Sequence, residues 1–324
     1  MKSIRLFCLS LFLLTGITAC NNLTRTSAVV YTTPPQLILQ DHPLANRIYD
    51  VKAGSFITQD QLYQRLADAR YILVGETHDN TEQHRVEATI IDHLSGLHRS
   101  TSVSFEMIDD RQGRFLQGRK YSSSGELIDL LKQVDSGWNY EVYYSNLFDS
   151  VIRAGFRILP ANVDRAHLLD MMNKHAAPVP AAQKDLISRT PLSQKNLDVM
   201  QQDLLDSHCG VLRPAQVQPM IRGQRIRDAT MALSLLRSGA QYKVLIAGDG
   251  HVRKDLGVPR YIHSSNTPLI SIGVLEVEAD LNRPDYYAQD WNNDKLPFDY
   301  VWFTARAQRK DPCIDFIKNH SPNK

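Results

Sequence analysis

The chain has 324 residues, in which 37 lysines and arginines face 35 aspartates and glutamates. Hydrophobic residues make up 43% of the sequence and charged residues 22%, with only 4 cysteines. This composition excludes a disordered tail, a fibre and a small disulfide-stapled domain, and the balanced charge argues against nucleic-acid binding. The length suffices for one large domain, or for one domain with a smaller insertion.

The start of the chain has the organisation of a bacterial signal peptide. Lys2 and Arg5 provide a positive start, residues 6–14 are almost wholly apolar, and small residues precede Cys20. The apolar run is too short for a permanent membrane span but suits a cleaved signal. The four residues that end at Cys20 (ITAC) resemble a lipobox, in which the peptidase cuts before a cysteine that then carries a diacylglycerol. We therefore expect residues 1–19 to be removed and Cys20 to be lipidated; the alternative is an ordinary secretory signal with an incidental cysteine.

The remaining cysteines and the segment after the lipobox bear on the expected location. Cleavage removes Cys8, so Cys209 and Cys313 are left either as free thiols or as one disulfide. Asn21 is not the aspartate that retains many lipoproteins at the inner membrane, so we expect an outer-membrane protein that faces the periplasm. Residues 20–36 are polar and rich in threonine and proline, which is typical of a tether. The mature chain would be formally neutral, so attachment would depend on acyl chains and not on a polybasic patch.

Short apolar runs alternate with helical segments along the rest of the chain. Runs of this kind, without strict polar alternation, are typical of a parallel sheet that helices cover on both faces. Strands are predicted at residues 71–74, 101–105, 156–159, 243–247 and 269–275. Helices are predicted at residues 58–69, 81–94, 127–132, 141–154 and 217–236. Asn80, as an N-cap with Gln83 at the third helical position, supports the start of the second helix.

The predicted fold class is therefore α/β, a mostly parallel sheet flanked by helices, with a smaller helical domain inserted. Residues 165–215 have helical patterns without a convincing strand, so they are the predicted insertion. The α/β domain would then comprise residues 37–164 and 216–290, and residues 291–324 would form a C-terminal extension.

Charged side chains directly follow several of the predicted strands. In a parallel sheet, ligands bind outside the carboxyl ends of the strands, so the residues at these exits are candidates for a site. Two Gly-x-x-His turns place Glu76 and His78 after the first strand and His251 after the fourth, while Glu106 follows the second. We expect these four side chains to meet at one edge of the sheet. The expected surrounding layer consists of His84, Asn162, Arg165 and Asp249.

Two imidazoles and two carboxylates suit two kinds of chemistry. They could be ligands of a divalent metal, or an acid and a base for hydrolysis. The structural alternative is that they pair with one another and with helix N-termini, since strand ends are generally polar. Their arrival at one edge from strands far apart in sequence favours a functional site.

An aromatic cluster comprises Trp138, Tyr140, Tyr143 and Tyr144. At helical spacing Tyr140 and Tyr144 share one face, and Tyr143 lies beside them. Such a patch usually packs against a sheet. It could instead form a wall for a flat ligand, with one phenolate available to the ferric iron of a haem.

Several short motifs, taken in order, resemble one family. They are residues 73–80 (LVGETHDN) with His84, 105–107 (FEM), Trp138 with Tyr143, 161–162 (AN), 208–209 (HC), Gln224 with 227–229 (RDA) and 231–232 (MA), and 246–253 (IAGDGHVR) with 257–259 (GVP). Over about residues 60–275 the sequence is similar to the ChaN family of haem-binding lipoproteins implicated in bacterial iron uptake. The two Gly-x-x-His turns also link that family, more remotely, to erythromycin esterase-like and TIKI-type hydrolases.

The resemblance implies a parallel α/β domain with a smaller helical domain and a lipid-anchored N-terminus. It also implies haem held through a tyrosine between two monomers, with a histidine of the partner near the propionates. Tyr143 is the favoured iron ligand because its spacing from Trp138 matches the family pattern, and Tyr144 is its substitute. Glu76, His78, Glu106 and His251 match the positions at the strand ends that the superfamily shares.

Three hypotheses follow for the function. The leading one is a lipid-anchored haem-binding protein of iron acquisition, without catalysis, that binds haem and the membrane and dimerises around haem. An outer-membrane haem receptor is a further candidate partner. The second is a metal-dependent hydrolase that uses the Glu/His cluster at the strand ends with a divalent metal. The third is an assembly or interaction lipoprotein in which the Glu/His cluster at the strand ends no longer has a function.

The lipid anchor is tested by Cys20→Ser. Because the diacylglycerol needs the Cys20 thiol, this change should release or mislocalise the protein while leaving the fold untouched. Membrane fractionation in high salt measures the effect. If Cys20→Ser still sediments with membranes under these conditions, the lipobox assignment is wrong.

Overall fold

The computed structural model describes residues 33–173, 177–262, 268–311, 313–314 and 317. The predicted signal peptide, Cys20 and most of the tether lie outside these residues. Within the described ranges, none of the helices combines the length and the apolar character that a membrane crossing requires.

The strands of the described residues form one large sheet and one small sheet. In chain order the strands are β1 (Leu37–Ile38), β2 (Ile48–Asp50), β3 (Ser55–Ile57), β4 (Tyr71–Glu76), β5 (Thr101–Asp109), β6 (Arg157–Asn162), β7 (Tyr242–Gly248), β8 (Leu269–Glu276), β9 (Tyr300–Thr304) and β10 (Arg306–Ala307). The large sheet has the order β3-β2-β9-β8-β4-β7-β5-β6, and the strands from β9 to β6 are parallel. β2 and β3 extend it as antiparallel edge strands, and β1 pairs with β10.

Helices cover both faces of the large sheet, so the predicted α/β fold class is confirmed. The helices are α1 (Gln59–Leu66), α2 (Thr81–Ser95), α3 (Asp110–Leu116), α4 (Ser124–Leu131), α5 (Tyr140–Tyr143), α6 (Ser145–Arg153), α7 (Arg165–Met172), α8 (Ala181–Arg189), α9 (Gln194–Ser207), α10 (Pro214–Arg237) and α11 (Asp249–Val252), with 3-10 turns at Val258–Tyr261 and Pro284–Trp291. The start of α2 is as predicted, because the Asn80 side chain accepts hydrogen bonds from the N–H groups of Glu82 and Gln83.

The central strand β4 explains the apolar runs of the sequence. Ile72 and Val74 belong to the apolar cluster that includes residues of α2 and α6, whereas Tyr71 and Leu73 belong to a second cluster with residues of α10. Successive side chains of a strand point to opposite faces, so both faces of β4 are covered. Polar alternation is therefore absent from this strand.

Residues 165–215 contain α7, α8, α9 and the first residues of α10, with no strand assigned in the part of this stretch that the structure describes. α7, α9 and α10 share a third apolar cluster, which includes Met171, Met200, Leu204 and Met220. α10 continues from this cluster onto the sheet, because its later residues belong to the second cluster. The exact limits of the proposed helical insertion remain a prediction.

Several elements of the sheet were not predicted. β9 lies in the stretch that was assigned to a C-terminal extension, yet it pairs with β8 and β2. β2 and β3 have three residues each, which is too short for a periodicity to be detected. The helix expected at residues 141–154 is divided at Tyr144, whose φ of −113° and ψ of −6° depart from regular helix geometry.

A disulfide joins Cys209 to Cys313. Of the two alternatives for these cysteines, free thiols or one disulfide, the structure has the disulfide. It connects the end of α9 to the C-terminal segment, across a sequence separation of 104 residues. Closing a loop of that length restricts the unfolded chain, and the expected stabilisation is about 4 kcal/mol.

Replacing both Cys209 and Cys313 with serine should lower the free energy of unfolding by about 3–4 kcal/mol, because the unfolded chain regains its loop entropy. Urea denaturation followed by circular dichroism measures the difference. Dithiothreitol should destabilise the wild type by a similar amount and leave the double variant unchanged. Equal stability of the oxidised wild type and the double variant would contradict the expectation.

Candidate functional site

The two Gly-x-x-His turns lie side by side because β4 and β7 are adjacent parallel strands. A Cβ on Gly75 would lie 2.4 Å from Val252 Cγ2 and 2.7 Å from Asp249 Cα. Only glycine therefore allows α11 to pack against the end of β4. This close approach brings His251 to the same edge of the sheet as His78.

Alternating carboxylates and imidazoles extend along this edge; we call them the acid–imidazole chain, which consists of Glu76, His78, Glu106, His251 and Asp228. Glu76 Oε1 lies 2.7 Å from His78 Nδ1, and His78 Nε2 lies 3.7 Å from Glu106 Oε2. Glu106 Oε1 lies 3.5 Å from His251 Nε2, whose Nδ1 lies 2.6 Å from Asp228 Oδ1. The structure thus brings the four predicted rim residues together, but as successive pairs and not around one centre.

Both glutamates of the chain are ionised at neutral pH. Burial opposes the ionisation of Glu76, but His84 and His78 more than offset it, so the pKa of Glu76 lies well below its ordinary value. Burial likewise opposes the ionisation of Glu106, and His251 and His78 lower the pKa of this carboxyl in spite of it. The two carboxylates therefore provide fixed negative charge inside the protein.

The imidazoles of the chain carry the matching positive charge. Burial tends to lower the pKa of His251, but Glu106 and Asp228 outweigh it and raise this pKa to about 10. The pKa of His78 is also raised, because Glu106 and Glu76 outweigh burial. The His251 ring therefore holds two protons at neutral pH, and in that state it has no lone pair for a metal ion or for a substrate proton. The raised pKa of His78 shifts that ring towards the same state.

The acid–imidazole chain meets solvent at what we call the rim opening, formed by His78, Arg227 and Trp138. The side chains of His78 and Arg227 are 10% and 11% exposed, whereas that of His251 is 3% exposed. Arg227 Nη1 lies 3.6 Å from Glu106 Oε1. The Trp138 and His78 rings are edge to face, with centroids 4.8 Å apart. A ligand that approaches here first meets a guanidinium, an imidazole and an indole.

The four residues expected around the site take different positions. His84 Nε2 lies 2.9 Å from Glu76 Oε2. The Asn162 side-chain amide donates to the Glu106 carbonyl at 2.9 Å. Asp249 starts α11, and its Cα lies against β4. Arg165 is exposed at the start of α7, near enough for its charge to act on Arg227.

Arg227, Asp228 and Glu87 were not predicted as site residues. Arg227 and Asp228 lie in the motif at residues 227–229, but the sequence does not indicate that this part of α10 faces β5 and β7. Glu87 had a clearer signal, because it follows His84 by three residues on α2 and this spacing places two side chains on one helix face.

The two candidate haem tyrosines lie in different surroundings. Tyr144 is fully buried and its hydroxyl donates to Glu76 Oε1 at 2.7 Å. Burial and the charge of Glu76 raise the pKa of Tyr144 well above its ordinary value, which disfavours a phenolate there. Tyr144 is thus a structural partner of Glu76 and is poorly suited to be the substitute iron ligand. Tyr143 is half-buried, with its ring edge-on to His84 and the centroids 6.3 Å apart.

The fold and this edge define an α/β protein whose parallel sheet carries paired Gly-x-x-His turns. Residues 62–262 match the family described as haem-binding uptake, Tiki superfamily, ChaN. The chain belongs to this family, so the resemblance noted in the sequence is confirmed. No curated protein sequence matches the chain.

Solved structures with a similar fold include ChaN of Campylobacter jejuni, described with cofacial heme binding. It is 20% identical, with a TM-score of 0.63 over 81% of this chain and 97% of that one. The type III effector HopBA1 is 12% identical, with a TM-score of 0.42 over 76% of this chain and 92% of that one. The erythromycin esterase EreC in its open conformation is 12% identical, with a TM-score of 0.41 over 81% of this chain and 83% of that one.

Stability should fall as the pH rises from about 7 towards about 10, because unfolding lets His251 lose the proton that it holds in the folded protein. Its pKa is raised from 6.5 to about 10, so its stabilising contribution is complete below 6.5 and is lost as the pH approaches 10. The slope is at most about 1.4 kcal/mol per pH unit. Urea denaturation at several pH values measures it, and His251→Gln should have the shallower slope. Parallel slopes for the two proteins would contradict this charge assignment.

Proposed function

We propose that this protein is a lipid-anchored haem-binding protein that takes part in bacterial haem or iron uptake. The observation that carries the proposal is the match of residues 62–262 to the haem-binding uptake family. The similar ChaN of Campylobacter jejuni is described with cofacial heme binding, which supports the same ligand here. When bound, haem would supply a flat apolar ring, two propionates and an iron that a phenolate can bind.

The rim opening suits haem in its charge and in its aromatic content. Arg227, with Arg165 near it, offers positive charge to propionates, and arginine–carboxylate pairs are strong. Trp138 offers an apolar ring to a porphyrin. The cavity behind His251 measures about 30 Å³, whereas enclosed small-molecule sites have several hundred Å³. The charge and the aromatic ring favour haem bound at the rim opening, and the cavity behind His251 is too small to hold it.

Tyr143 is the proposed iron ligand. Its side chain is half-buried with its ring edge-on to His84, whereas Tyr144 would have to leave the core and its hydrogen bond to Glu76. A phenolate is a known ligand of ferric haem iron, and the iron itself lowers the phenol pKa. His78 does not compete for the iron in its protonated form, because both of its ring nitrogens face carboxylates.

A surface-bound haem has a second face that needs a cover. We propose that a second copy of this chain supplies it, so that the homodimer forms around haem, with a partner histidine near the propionates as the family resemblance implies. An outer-membrane haem receptor is the proposed source or recipient of the haem.

The proposed location is the periplasmic side of the outer membrane, with Cys20 as the lipid anchor and residues 20–36 as the tether. The Cys209–Cys313 disulfide supports an oxidising compartment such as the periplasm.

The alternative of a metal-dependent hydrolase at the rim has weaker support. Such a site needs neutral imidazoles as ligands or as a base, but the carboxylates beside His251 raise its pKa to about 10, and those beside His78 shift its pKa in the same direction. Glu106 is also engaged, because it accepts the Gly248 N–H at 2.7 Å.

The iron ligand is tested by Tyr143→Phe. The change removes only the hydroxyl, so the tyrosinate charge-transfer band should be lost and the hemin affinity should fall at least about tenfold, equivalent to about 1.4 kcal/mol. A hemin titration followed at the Soret band measures both. The thermal midpoint of the apo protein should hardly change, since no cavity is created.

Two further variants serve as comparisons for this titration. Tyr286→Phe alters an exposed tyrosine outside the aromatic cluster and should bind hemin like the wild type. Tyr144→Phe should destabilise the protein by about 1–2 kcal/mol, because a buried acceptor loses its donor, and should keep the charge-transfer band. An unchanged hemin spectrum in Tyr143→Phe would show that another residue is the iron ligand. The absence of a Soret band in the wild type would overturn the proposed function.

A further inference from the structure

A second polar cluster adjoins the acid–imidazole chain at Glu76. It consists of Glu76, at the end of β4, and of His84 and Glu87, on α2. One potential ligand atom of each residue lies within 4.8 Å of the other two. The three residues are 1%, 2% and 0% exposed, respectively, so water does not solvate them. Neither His78, Glu106 nor His251 belongs to this group.

Five polar atoms of this cluster make no hydrogen bond within the described part of the chain. They are Glu76 Oε2, both ring nitrogens of His84 and both carboxylate oxygens of Glu87. His84 Nε2 lies 2.9 Å from Glu76 Oε2, but the two are not aligned as a hydrogen bond. A buried polar atom without a partner is destabilising. Because His84 Nε2 and Glu76 Oε2 form an ion pair, the atoms that need a partner are His84 Nδ1 and both Glu87 oxygens, and their presence in one place indicates a common partner.

The charge of the cluster indicates a cation. The structure pairs Glu76 with His78 and His84, and it gives Glu87 no lysine or arginine partner among the described residues. Burying a second carboxylate beside Glu76 without a cation is strongly unfavourable. Two carboxylate oxygens and one imidazole nitrogen form a donor set that first-row divalent metals such as Zn²⁺ and Mn²⁺ accept.

The backbone holds these donors in fixed positions. His84 and Glu87 lie one turn apart on the same face of α2, and the Asn80 cap fixes the first turn of that helix. Glu76 ends a strand whose six residues are all buried. The ligands therefore belong to rigid elements, as a metal site requires.

We propose that Glu76, His84 and Glu87 bind one divalent transition-metal ion as a buried structural centre. The ion joins α2 to the end of β4, and through Glu76 it orients His78 at the rim opening. This site is separate from the proposed haem iron, because it uses neither Tyr143 nor any residue at the surface. A proton shared by the Glu76 and Glu87 carboxyls is the competing arrangement, and the experiment below distinguishes the two.

The test uses the purified full chain and zinc or manganese chloride as the probe. Because the site is enclosed, the protein is unfolded in the presence of a chelator and then refolded with each metal. Gel filtration removes the metal that is not bound. Metal content is then measured by mass spectrometry, and the thermal midpoint with and without metal is recorded. The wild type should retain about one ion per chain of at least one of the two metals, and its thermal midpoint should rise with that metal.

Four variants locate the ion. Glu87→Gln and His84→Gln preserve approximate shape and should lower the affinity for that metal at least about 100-fold, with no thermal shift on metal addition. Asp92→Asn removes an exposed carboxylate from the same helix and should bind metal like the wild type. Glu106→Gln should also retain metal, because Glu106 belongs to the rim and not to this cluster.

Three results would overturn the proposal. They are less than about one tenth of an ion in the refolded wild type, wild-type metal affinity in Glu87→Gln, or loss of metal in Glu106→Gln alone. If no metal binds and Glu87→Gln is as stable as the wild type or more stable, the carboxyls share a proton instead. Hemin titration of the same samples reports haem binding separately, so failure of this site and failure of the proposed function give different results.

Discussion

An ionised carboxylate in the core is the constraint on which the rest of the site depends. Glu76 is 1% exposed, and its charge persists because His78 and His84 lie against it and Tyr144 donates to it. Removing either imidazole would leave buried charge unmatched, at a cost of several kcal/mol, whereas losing the Tyr144 hydroxyl costs less because it removes only one hydrogen bond. The aromatic segment after Trp138, the start of α2 and the end of β4 are therefore coupled through one side chain.

Close backbone approach makes this arrangement possible. Gly75 allows α11 to lie against β4, and a Cβ on Gly257 would lie 2.2 Å from the His251 carbonyl oxygen. Two glycines thus position His251 beside Glu106, where Asp228 of α10 completes the acid–imidazole chain. The polar groups of the chain pair with one another, and Arg227 lies beside Glu106, so the interior of the site has few unpaired charges to offer a substrate.

The two ends of the site differ in what they offer a ligand. The rim opening presents His78, Arg227 and Trp138 to solvent, which suits a flat molecule with acidic groups. The cluster beyond Glu76 is closed to solvent, and among the described residues His84 Nδ1 and both Glu87 oxygens make no hydrogen bond there. Haem binding at the first and a metal ion at the second are compatible, because Glu76 links the two ends without being exposed at either.

The five parallel strands that were predicted, the start of α2 and the edge to which Glu76, His78, Glu106 and His251 belong could be derived from the sequence alone. Apolar runs, an N-cap and Gly-x-x-His turns are local patterns, and parallel strands bring their carboxyl ends to one edge. β9 and the short edge strands could not be derived, since pairing with distant segments defines them.

The sequence by itself determined which residues are available to the site, and the tertiary structure decided how their charges combine. Tyr143 and Tyr144 are neighbours with the same chemistry, yet only Tyr144 reaches Glu76 and is thereby committed to the core. Asp228 of α10 gained its role from its contact with His251 of α11, and Glu87 of α2 from its position beside Glu76 at the end of β4. The physical reason is that ionisation and hydrogen bonding depend on burial and on contacts between distant segments, which no local pattern specifies.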